Sequence, residues 1–445
     1  MTVRQRYDCG MTSAPAAIGL PGCKSSSQRA LMLAALAGGE GRIQGLSDCR
    51  DSMELLAALQ ALGAEFVPDG LLGTDAGAVT VHGLQPSEME DEEGSDGIPV
   101  GEGASTLRFL LALLAAGRSE TVLRPAPALA ARPHQELFDI LRGFGAEIEA
   151  GEDARGPRLR VRGVGGFGAR TVELPELRSS QTLSALWLAA GDAPITWQLA
   201  QPAGSRGYLD LTAEMLRRVR GDVLRELEDG VLWTQEPGYG ERARLRVLAD
   251  PSAVVFFAVA AMLLRRGIRL ARAWNSRHAD AALMRRFRSE DWLTWVPDES
   301  GVVLVPGPSV RRRELVVDLD EAPDSGPALA VLAAHLPHGA RFTGLARLKS
   351  KESDRVTAMQ RLAEACGGLV ESGENSLSIR PGPSATRLGH PAAPRAQTVV
   401  TQGDHRTAMA VGIASLLHPG LAPDDRTCVA KSFPRFWDEL ARLQA

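Results

Sequence analysis

Apolar positions fall at helical spacing in a series of similar segments along this chain. They read LLAALQALGAEF from Leu55, LFDILRGFGAEIE from Leu137, LTAEMLRRVRGDV from Leu211, LMRRFRSEDWLTW from Leu283, AMQRLAEACGGLVE from Ala358 and FWDELARLQA from Phe436. Apolar residues at i, i+3 and i+4 put one stripe on each predicted helix. Several segments end in GAE, GD or GG, a C-cap and turn signal. Between them lie short β-branched runs, AVTVHGL from Ala78, RLRVRGV from Arg158, GVVLVPG from Gly301 and LVVDLD from Leu315, which predict strands. The segment starts are about 70 to 80 residues apart, room for two helices and several strands. Six such units, three plus three, predict two similar α/β halves with a cleft between them.

A second set of predicted helices carries Lys or Arg near its start. These are GCKSSSQRALMLAAL from Gly22, GASTLRFLLALL from Gly103, AARPHQELFDIL from Ala130, SKESDRVTAMQRL from Ser350, GDHRTAMAVGIASLL from Gly403 and AKSFPRFWDEL from Ala430. A helix N-terminus is already partly positive and has unpaired N–H groups, so a cation there is mildly unfavourable. Repetition of that placement implies that an anion supplies the missing charge, and helix N-termini are ready sites for phosphate or carboxylate. The expectation is a pocket for one or two small polyanions.

Composition narrows the class. The 445 residues are 44% apolar and 23% charged, an ordinary globular profile of two to four domains. A net charge of −4 supplies no overall positive field for nucleic acid. Five cysteines, odd in number and without C-x-x-C spacing, argue against a disulfide framework or a zinc site and fit a reducing compartment. The first twenty residues lack the apolar core of a signal peptide, and no run of about 18 apolar residues predicts a membrane span. The expectation is a cytoplasmic monomer. QPSEMEDEEGSDG from Gln85 and PGPSATRLGHPAAPRAQ from Pro381 fall outside the repeat and read as solvated loops.

Individual motifs are each ambiguous. Lys24 precedes a helix, with Ser25 or Ser26 as the expected N-cap and Arg29 about one turn in. The wording is close to a phosphate-binding P-loop, but Cys23 separates Gly22 from Lys24, and that pattern is rejected. GEGASTLRFLLALLAAG from Gly101 is a small-residue loop that lets backbone approach an anion, with Arg108 in the first turns. In KESDR, Lys351 and Arg355 stand at i and i+4 and are expected on one helix face, with Glu352 and Asp354 in the first turn. Asp324, before another apolar helix, reads by default as an N-cap. Ser179, Ser180 and Gln181 offer either capping or ligand hydrogen bonds.

Taken in order, the motifs resemble those of the 5-enolpyruvylshikimate-3-phosphate (EPSP) synthase family, the 3-phosphoshikimate 1-carboxyvinyltransferases. The resemblance rests on LPGCKSSSQRALMLAALA, GEGASTLRFLLAL, ALAARP, RSSQTLSALWLAA, GSRGYLDLT, APD, KSKESDR, GDHRTAMA and CVAKSFPRFW, and it covers nearly the whole chain. It implies two α/β domains of three βαβαββ units each, an inside-out α/β barrel, with ligands in the cleft between domains. One domain is expected at 22–246, the other at 1–21 plus 247–445. The implied reaction moves the enolpyruvyl group of phosphoenolpyruvate to the 5-hydroxyl of shikimate 3-phosphate, with release of phosphate and no metal or organic cofactor.

By the same resemblance, Lys24, Ser25, Arg29, Ser179, Ser180, Gln181, Ser205, Tyr208, Asp324, Arg347 and Lys351 contact shikimate 3-phosphate. Lys24, Ala104, Arg132, Gln181, Arg355, Arg406 and Lys431 surround phosphoenolpyruvate. Asp324 is the expected base on the 5-hydroxyl, and Glu352 or Lys24 the group that exchanges a proton with the methylene carbon. The chain departs from the family pattern at several places. Ala104 replaces a usual glycine, Glu102 and Arg347 each a usual Asn, Ala128 a usual Arg, Gly403 a usual Asn and Cys23 a usual Ser. Ala104 is expected to weaken glyphosate, a longer mimic of phosphoenolpyruvate. Glu102 needs a cation such as Arg108 nearby. The related transferase acting on UDP-N-acetylglucosamine carries a reactive cysteine where PAPALAARP from Pro125 has none. The competing readings are an enolpyruvyl transferase of secondary metabolism with another anionic acceptor, and an anion-binding relative without turnover.

Overall fold

Two kinds of helix alternate along the chain, and burial separates them. The computed structural model describes residues 17–37, 39–84, 96–177, 179–202, 204–221, 223–237, 243–274, 278–298, 301–383 and 385–444. The acidic stretch from Gln85 to 95 lies outside the described residues. The chain divides into one unit of Gly22–Val247 and a second that joins residues 17–21 to 248–444.

In the first unit the helices longer than one turn are α1 (Lys24–Ala35), α2 (Arg50–Ala61), α3 (Ala104–Ala116), α4 (Gln135–Gly143), α5 (Ser180–Ala189) and α6 (Arg206–Arg220) among the described residues. Almost every residue of α1, α3 and α5 is buried, and they pack on one another. Helices apolar on all sides can exist only in such a position. In contrast, α2, α4 and α6 bury one stripe, such as Leu137, Phe138 and Leu141 of α4. Three four-stranded sheets cover the helices. In one of them, Ile98–Gly101 runs parallel to Glu120–Pro125, which pairs antiparallel with Gly156–Arg162, and that in turn with Glu147–Asp153. Leu159 and Val161 point inward while Arg158, Arg160 and Arg162 are exposed, the alternation of a sheet with one wet face. The first sheet takes its parallel edge from the far end of the unit, where Arg244–Arg246 lies beside Glu40–Gln44.

The second unit repeats the plan with α7 (Pro251–Leu264), α8 (Ala279–Ser289), α9 (Gly326–Ala333), α10 (Arg355–Ala365), α11 (His405–Ser415) and α12 (Phe436–Ala441). Here α7, α9 and α11 are the buried trio. Ile18 supplies a parallel bridge to Leu270 at the edge of the sheet Ile268–Leu270, Gly301–Pro306 and Leu293–Asp298. A second sheet is built on Leu315–Asp318 and Ala340–Thr343, and the third contains Gln397–Val399 and Leu421–Pro423. The connection after Pro381 is irregular and largely exposed, as its composition predicts.

The α/β class and the repeat pattern match expectation, with two corrections. The third sheet of the second unit has two strands among the described residues, short of a full βαβαββ repeat. The barrel is not a closed sheet: the strands form separate sheets, one of which takes its edge strand Arg244–Arg246 from the far end of the unit, and buried helices pack between them. Among the described residues no helix is long and apolar enough to cross a membrane. Cys23, Cys49, Cys366 and Cys428 are buried and unbridged.

The second unit depends on aromatic packing where α7 meets the C-terminal segment. Phe257 lies with its ring centroid 6.2 Å from that of Phe433 and 6.3 Å from that of Phe436, all fully buried. Phe257→Ala is expected to cost about 3–5 kcal/mol, read as a lower urea midpoint. An unchanged midpoint would show that this contact carries no such load.

Candidate active site

In the first unit, α1 begins at Lys24, but its N-cap is Cys23, whose Sγ accepts from the Ser26 N–H at 3.4 Å. The expected serine cap is therefore corrected: Ser27 is turned inward to accept from the Ser47 N–H at 2.9 Å, and Ser25 is left half-buried at the helix start. Lys24 Nζ reaches Asp51 Oδ2 at 2.9 Å, with side-chain exposures of 17% and 5%. The cation at this helix start thus has a carboxylate already in place.

Arg29 is held inside the unit. Its Nε donates to Thr212 Oγ1 at 2.6 Å, Nη1 to the Ser25 carbonyl at 2.9 Å, and Nη2 to Ser184 Oγ at 3.2 Å and the Tyr208 carbonyl at 3.3 Å. Its guanidinium also lies 5.5 Å from the Phe109 ring centre, and burial pulls its pKa down to about 10. In this arrangement the side chain ties α1 to α5 and α6, and it orients Ser25 and Tyr208 through their carbonyls.

Ala104 is the first residue of α3, half-buried behind the turn Gly101–Gly103. Gly101 has φ +67°, and a Cβ there would sit 2.1 Å from the Glu54 carboxylate, so the turn favours glycine. Burial pushes Glu54 up to about 7, the charges of Asp51 and Glu102 add to that, and Arg50 and the Glu102 N–H oppose it. Arg108 lies not with Glu102 but against Gln181, donating to its Oε1 and, at 3.4 Å, to the Pro133 carbonyl. Burial brings Arg108 down to about 10; Glu136 works against that and Arg132 with it. Glu136 in turn accepts from Thr182 Oγ1 at 2.8 Å. Arg108, Arg132, Glu136 and Gln181 therefore gather where α3, α4 and α5 begin.

Ser179 caps α5, accepting from the Gln181 N–H at 3.3 Å, and Ser180 is buried behind it. Ser205 precedes α6 in the left-handed region, φ 58°, and caps nothing. Its Oγ is buried and has no hydrogen-bond partner among the described residues. A cavity of about 590 Å³ in this unit is lined by Arg132, His134, Phe138 and Arg158 and includes none of the other expected residues, so it does not define the site.

The second unit concentrates its charge around Arg355, 1% exposed. Arg355 Nη1 donates to Asp324 Oδ1 at 2.7 Å, Nη2 to Glu352 Oε2 at 2.9 Å and Nε to Asp404 Oδ2 at 2.9 Å. Burial alone would lower its pKa; Asp404, Asp324 and Glu352 outweigh burial and hold it well above the usual value. Arg406 Nη2 donates to Asp324 Oδ2 at 3.1 Å and to Ser252 Oγ at 2.6 Å. Lys431 Nζ lies 3.8 Å from Glu352 Oε1. Lys351 feels Asp324, Glu352, Arg355 and Arg347, and burial brings its ammonium below the usual range. Arg347 stands to one side, 3.9 Å from Asp320 on a half-exposed surface. Asp324, Lys351, Glu352, Arg355, Arg406 and Lys431 form one group.

The family model for EPSP synthase (3-phosphoshikimate 1-carboxyvinyltransferase) matches residues 11–440. The chain belongs to the EPSP synthase family. It is 30% identical over 432 residues to the 3-phosphoshikimate 1-carboxyvinyltransferase of Pseudomonas syringae pv. syringae, covering 95% of this chain and 93% of that protein. It is 29% identical to the enzyme of the same name from Vibrio vulnificus, with 96% of each chain covered. Among solved structures, EPSP synthase from Acinetobacter baumannii superposes with a TM-score of 0.74 at 24% identity, covering 96% of each chain. The enolpyruvyl transferase NikO from Streptomyces tendae gives 0.72 at 18%, covering 97% of this chain and 95% of that one. At those identities the two structures bear on fold alone.

Within this EPSP synthase family member, three local expectations are corrected. Lys351 and Arg355 do not share a helix: α10 starts at Arg355 because Asp354 caps it through the Val356 and Thr357 N–H groups, which leaves Lys351 in extended backbone. Asp324 is not a cap, since two guanidinium groups hold its carboxylate. Lys431 ends a 3₁₀ turn, Thr427–Lys431, instead of opening α12. The sequence reading did not single out Asp51, Asp404 or Ser252. Asp404 caps α11 through the Arg406 N–H and clamps Arg355 with its other oxygen.

Glu54 yields a pH prediction. A carboxyl raised in the folded state binds its proton more tightly there than in the unfolded chain, so stability falls as pH rises from about 4.5 to about 7. Glu54→Gln is expected to raise Tm at pH 8 and to leave it nearly unchanged at pH 4.5. An equal Tm change at both pH values would contradict a raised Glu54.

Proposed function

We propose that this chain transfers the enolpyruvyl group of phosphoenolpyruvate to the 5-hydroxyl of shikimate 3-phosphate and releases phosphate. The observation that carries the reading is the ionic group of the second unit, in a chain of this family. Four cations, Lys351, Arg355, Arg406 and Lys431, are gathered with three carboxylates, Asp324, Glu352 and Asp404, at the starts of α9, α10 and α11. Such a group is preorganised for an anion that carries both phosphate and carboxylate, because the guanidinium geometry matches either oxyanion.

In the proposed reaction a proton is added to the methylene carbon of phosphoenolpyruvate, and the 5-hydroxyl oxygen attacks the adjacent carbon as it loses its own proton. Loss of a proton from the new methyl group then restores the double bond as the carbon–oxygen bond to phosphate breaks. Asp324 takes the hydroxyl proton. For that, an incoming oxyanion must draw Arg355 and Arg406 away from it, since both hold it without substrate. Glu352, between Arg355 and Lys431, exchanges the proton at the methylene carbon. Lys24, Arg132, Gln181, Arg355, Arg406 and Lys431 bind phosphoenolpyruvate. Ser25, Ser179, Ser180, Ser205, Tyr208 and Lys351 bind shikimate 3-phosphate, and the buried Ser205 hydroxyl, with no partner among the described residues, supports that assignment. Arg29 serves this ligand through Ser25 and Tyr208, which its guanidinium holds. The unbridged cysteines support a reducing, cytoplasmic setting, and we take the enzyme to act as a monomer.

Phosphate release on mixing the purified chain with phosphoenolpyruvate and shikimate 3-phosphate tests the reading. Asp324→Ala is expected to lower kcat at least about 100-fold with a much smaller change in KM. Turnover only with some other anionic acceptor would move the chain to the secondary-metabolism reading, and full activity in Asp324→Ala would remove it as the base.

The methyl group of Ala104 at the start of α3 adds a second expectation. Glyphosate is longer than phosphoenolpyruvate, so Ala104→Gly is expected to increase glyphosate sensitivity by about tenfold or more with little change in KM for phosphoenolpyruvate. Equal inhibition of the two proteins would refute the steric account.

A further inference from the structure

Three of the helices that begin at the ionic group bring a different chemistry together at their other ends. His335 lies two residues beyond α9, Cys366 is the C-cap of α10, and His418 lies three residues beyond α11. His335 and Cys366 are buried and His418 is half-buried. Their donor atoms all fall within 4.8 Å of one another, and the two imidazole Nε2 atoms are 2.8 Å apart. We propose that His335, Cys366 and His418 form a zinc-binding site that ties together the C-terminal ends of α9, α10 and α11.

Several independent features support a metal site. The three donors are close enough that one point lies within about 2.5 Å of them all, against bond lengths of about 2.0–2.1 Å for Zn–N and about 2.3 Å for Zn–S. Small side-chain rotations close the difference. His335 Nδ1 faces the Val331 carbonyl at 2.7 Å. A carbonyl can only accept, so the ring proton sits on Nδ1 and the Nε2 lone pair points at the other two donors. This is the orienting hydrogen bond that metal-ligating histidines use.

The donor set selects the ion. Two imidazoles and a thiol, with no carboxylate among them, suit zinc and not the oxygen-seeking calcium or magnesium ions. A water would complete the coordination as fourth ligand, as at other zinc sites with three protein ligands. Cys366 is a buried thiol whose proton must leave for the sulfur to bind the ion as a thiolate. On binding, that proton goes to solvent, the ring proton of His418 moves from Nε2 to Nδ1, and no atom is oxidised or reduced. The competing arrangement is a simple hydrogen bond between two neutral imidazoles beside an inert thiol. The ion would act on structure and not on catalysis, since α10 alone separates Cys366 from Arg355 by about 16 Å.

Tag-free full-length protein, stripped with a chelator, is titrated with Co²⁺ and then with Zn²⁺. The expected result is one Co²⁺ per chain, with a thiolate-to-cobalt charge-transfer band and the visible bands of a tetrahedral site, both bleached by Zn²⁺. Cys366→Ser should abolish the charge-transfer band. His418→Ala, whose ring is half-exposed and whose loss is least disruptive to folding, should weaken Zn²⁺ binding by about 10- to 100-fold or more. Zn²⁺ should raise Tm in the wild type and not in His418→Ala. Absence of the thiolate band in the wild type, or equal Zn²⁺ affinity in wild type and His418→Ala, would overturn the proposal. The outcome does not depend on the enolpyruvyl-transfer reading.

Discussion

Arg355 is the constraint on which the second unit is organised. A fully buried guanidinium is tolerable only if acceptors surround it, and here these are carboxylates from three segments: Asp324 before α9, Glu352 before α10 and Asp404 before α11. Desolvation of such a group is expensive and is repaid only by near-complete hydrogen bonding. The three helix starts are therefore pinned to one point, and Arg406 and Lys431 are drawn in by the same carboxylates. The helix dipoles at these N-termini favour the carboxylates and oppose the cations, so the side chains that hold the site together also hold it ready for an outside anion.

The first unit solves the corresponding problem with less charge. Its helix starts carry Ser179, Ser180, Gln181 and Ser205 beside the Lys24–Asp51 pair and the Arg108–Gln181 contact. Neutral donors at an N-terminus cost little to leave solvated and can form directional bonds to a phosphate. The two units share one plan of buried helices and outer sheets, but they supply different chemistry: one mostly hydroxyls and amides, the other ion pairs.

The fold was legible because periodicity is a local property. The amphipathic segments from Leu137 and Leu211, and the β-branched runs from Arg158 and Gly301, occur as read. The ordering of the motifs pointed to the family. What local reading missed was set by distant partners. Asp404, which no sequence motif singled out, both caps α11 and clamps Arg355; Lys351 looked helical until Asp354 capped the helix after it. Glu102 called for a cation, and Arg108, its nearest candidate in sequence, instead meets Gln181 from another helix. His335, Cys366 and His418 carry no spacing signal at all, since they meet only because three helices end together. Sequence spacing reports neighbours along one element, and the sites here are made where several elements converge.

The joining of residues 17–21 to 248–444 carries a consequence for how the chain is made. Ile18 finds its strand partner at Leu270, about 250 residues later. At ribosomal rates of about 5–20 residues per second, the N-terminal segment waits roughly 10–50 s for that partner to emerge. The unit of Gly22–Val247 has all its own strands by then, including the closing strand Arg244–Arg246. Vectorial synthesis thus favours completing the inserted half first, before Ile18 can pair with Leu270.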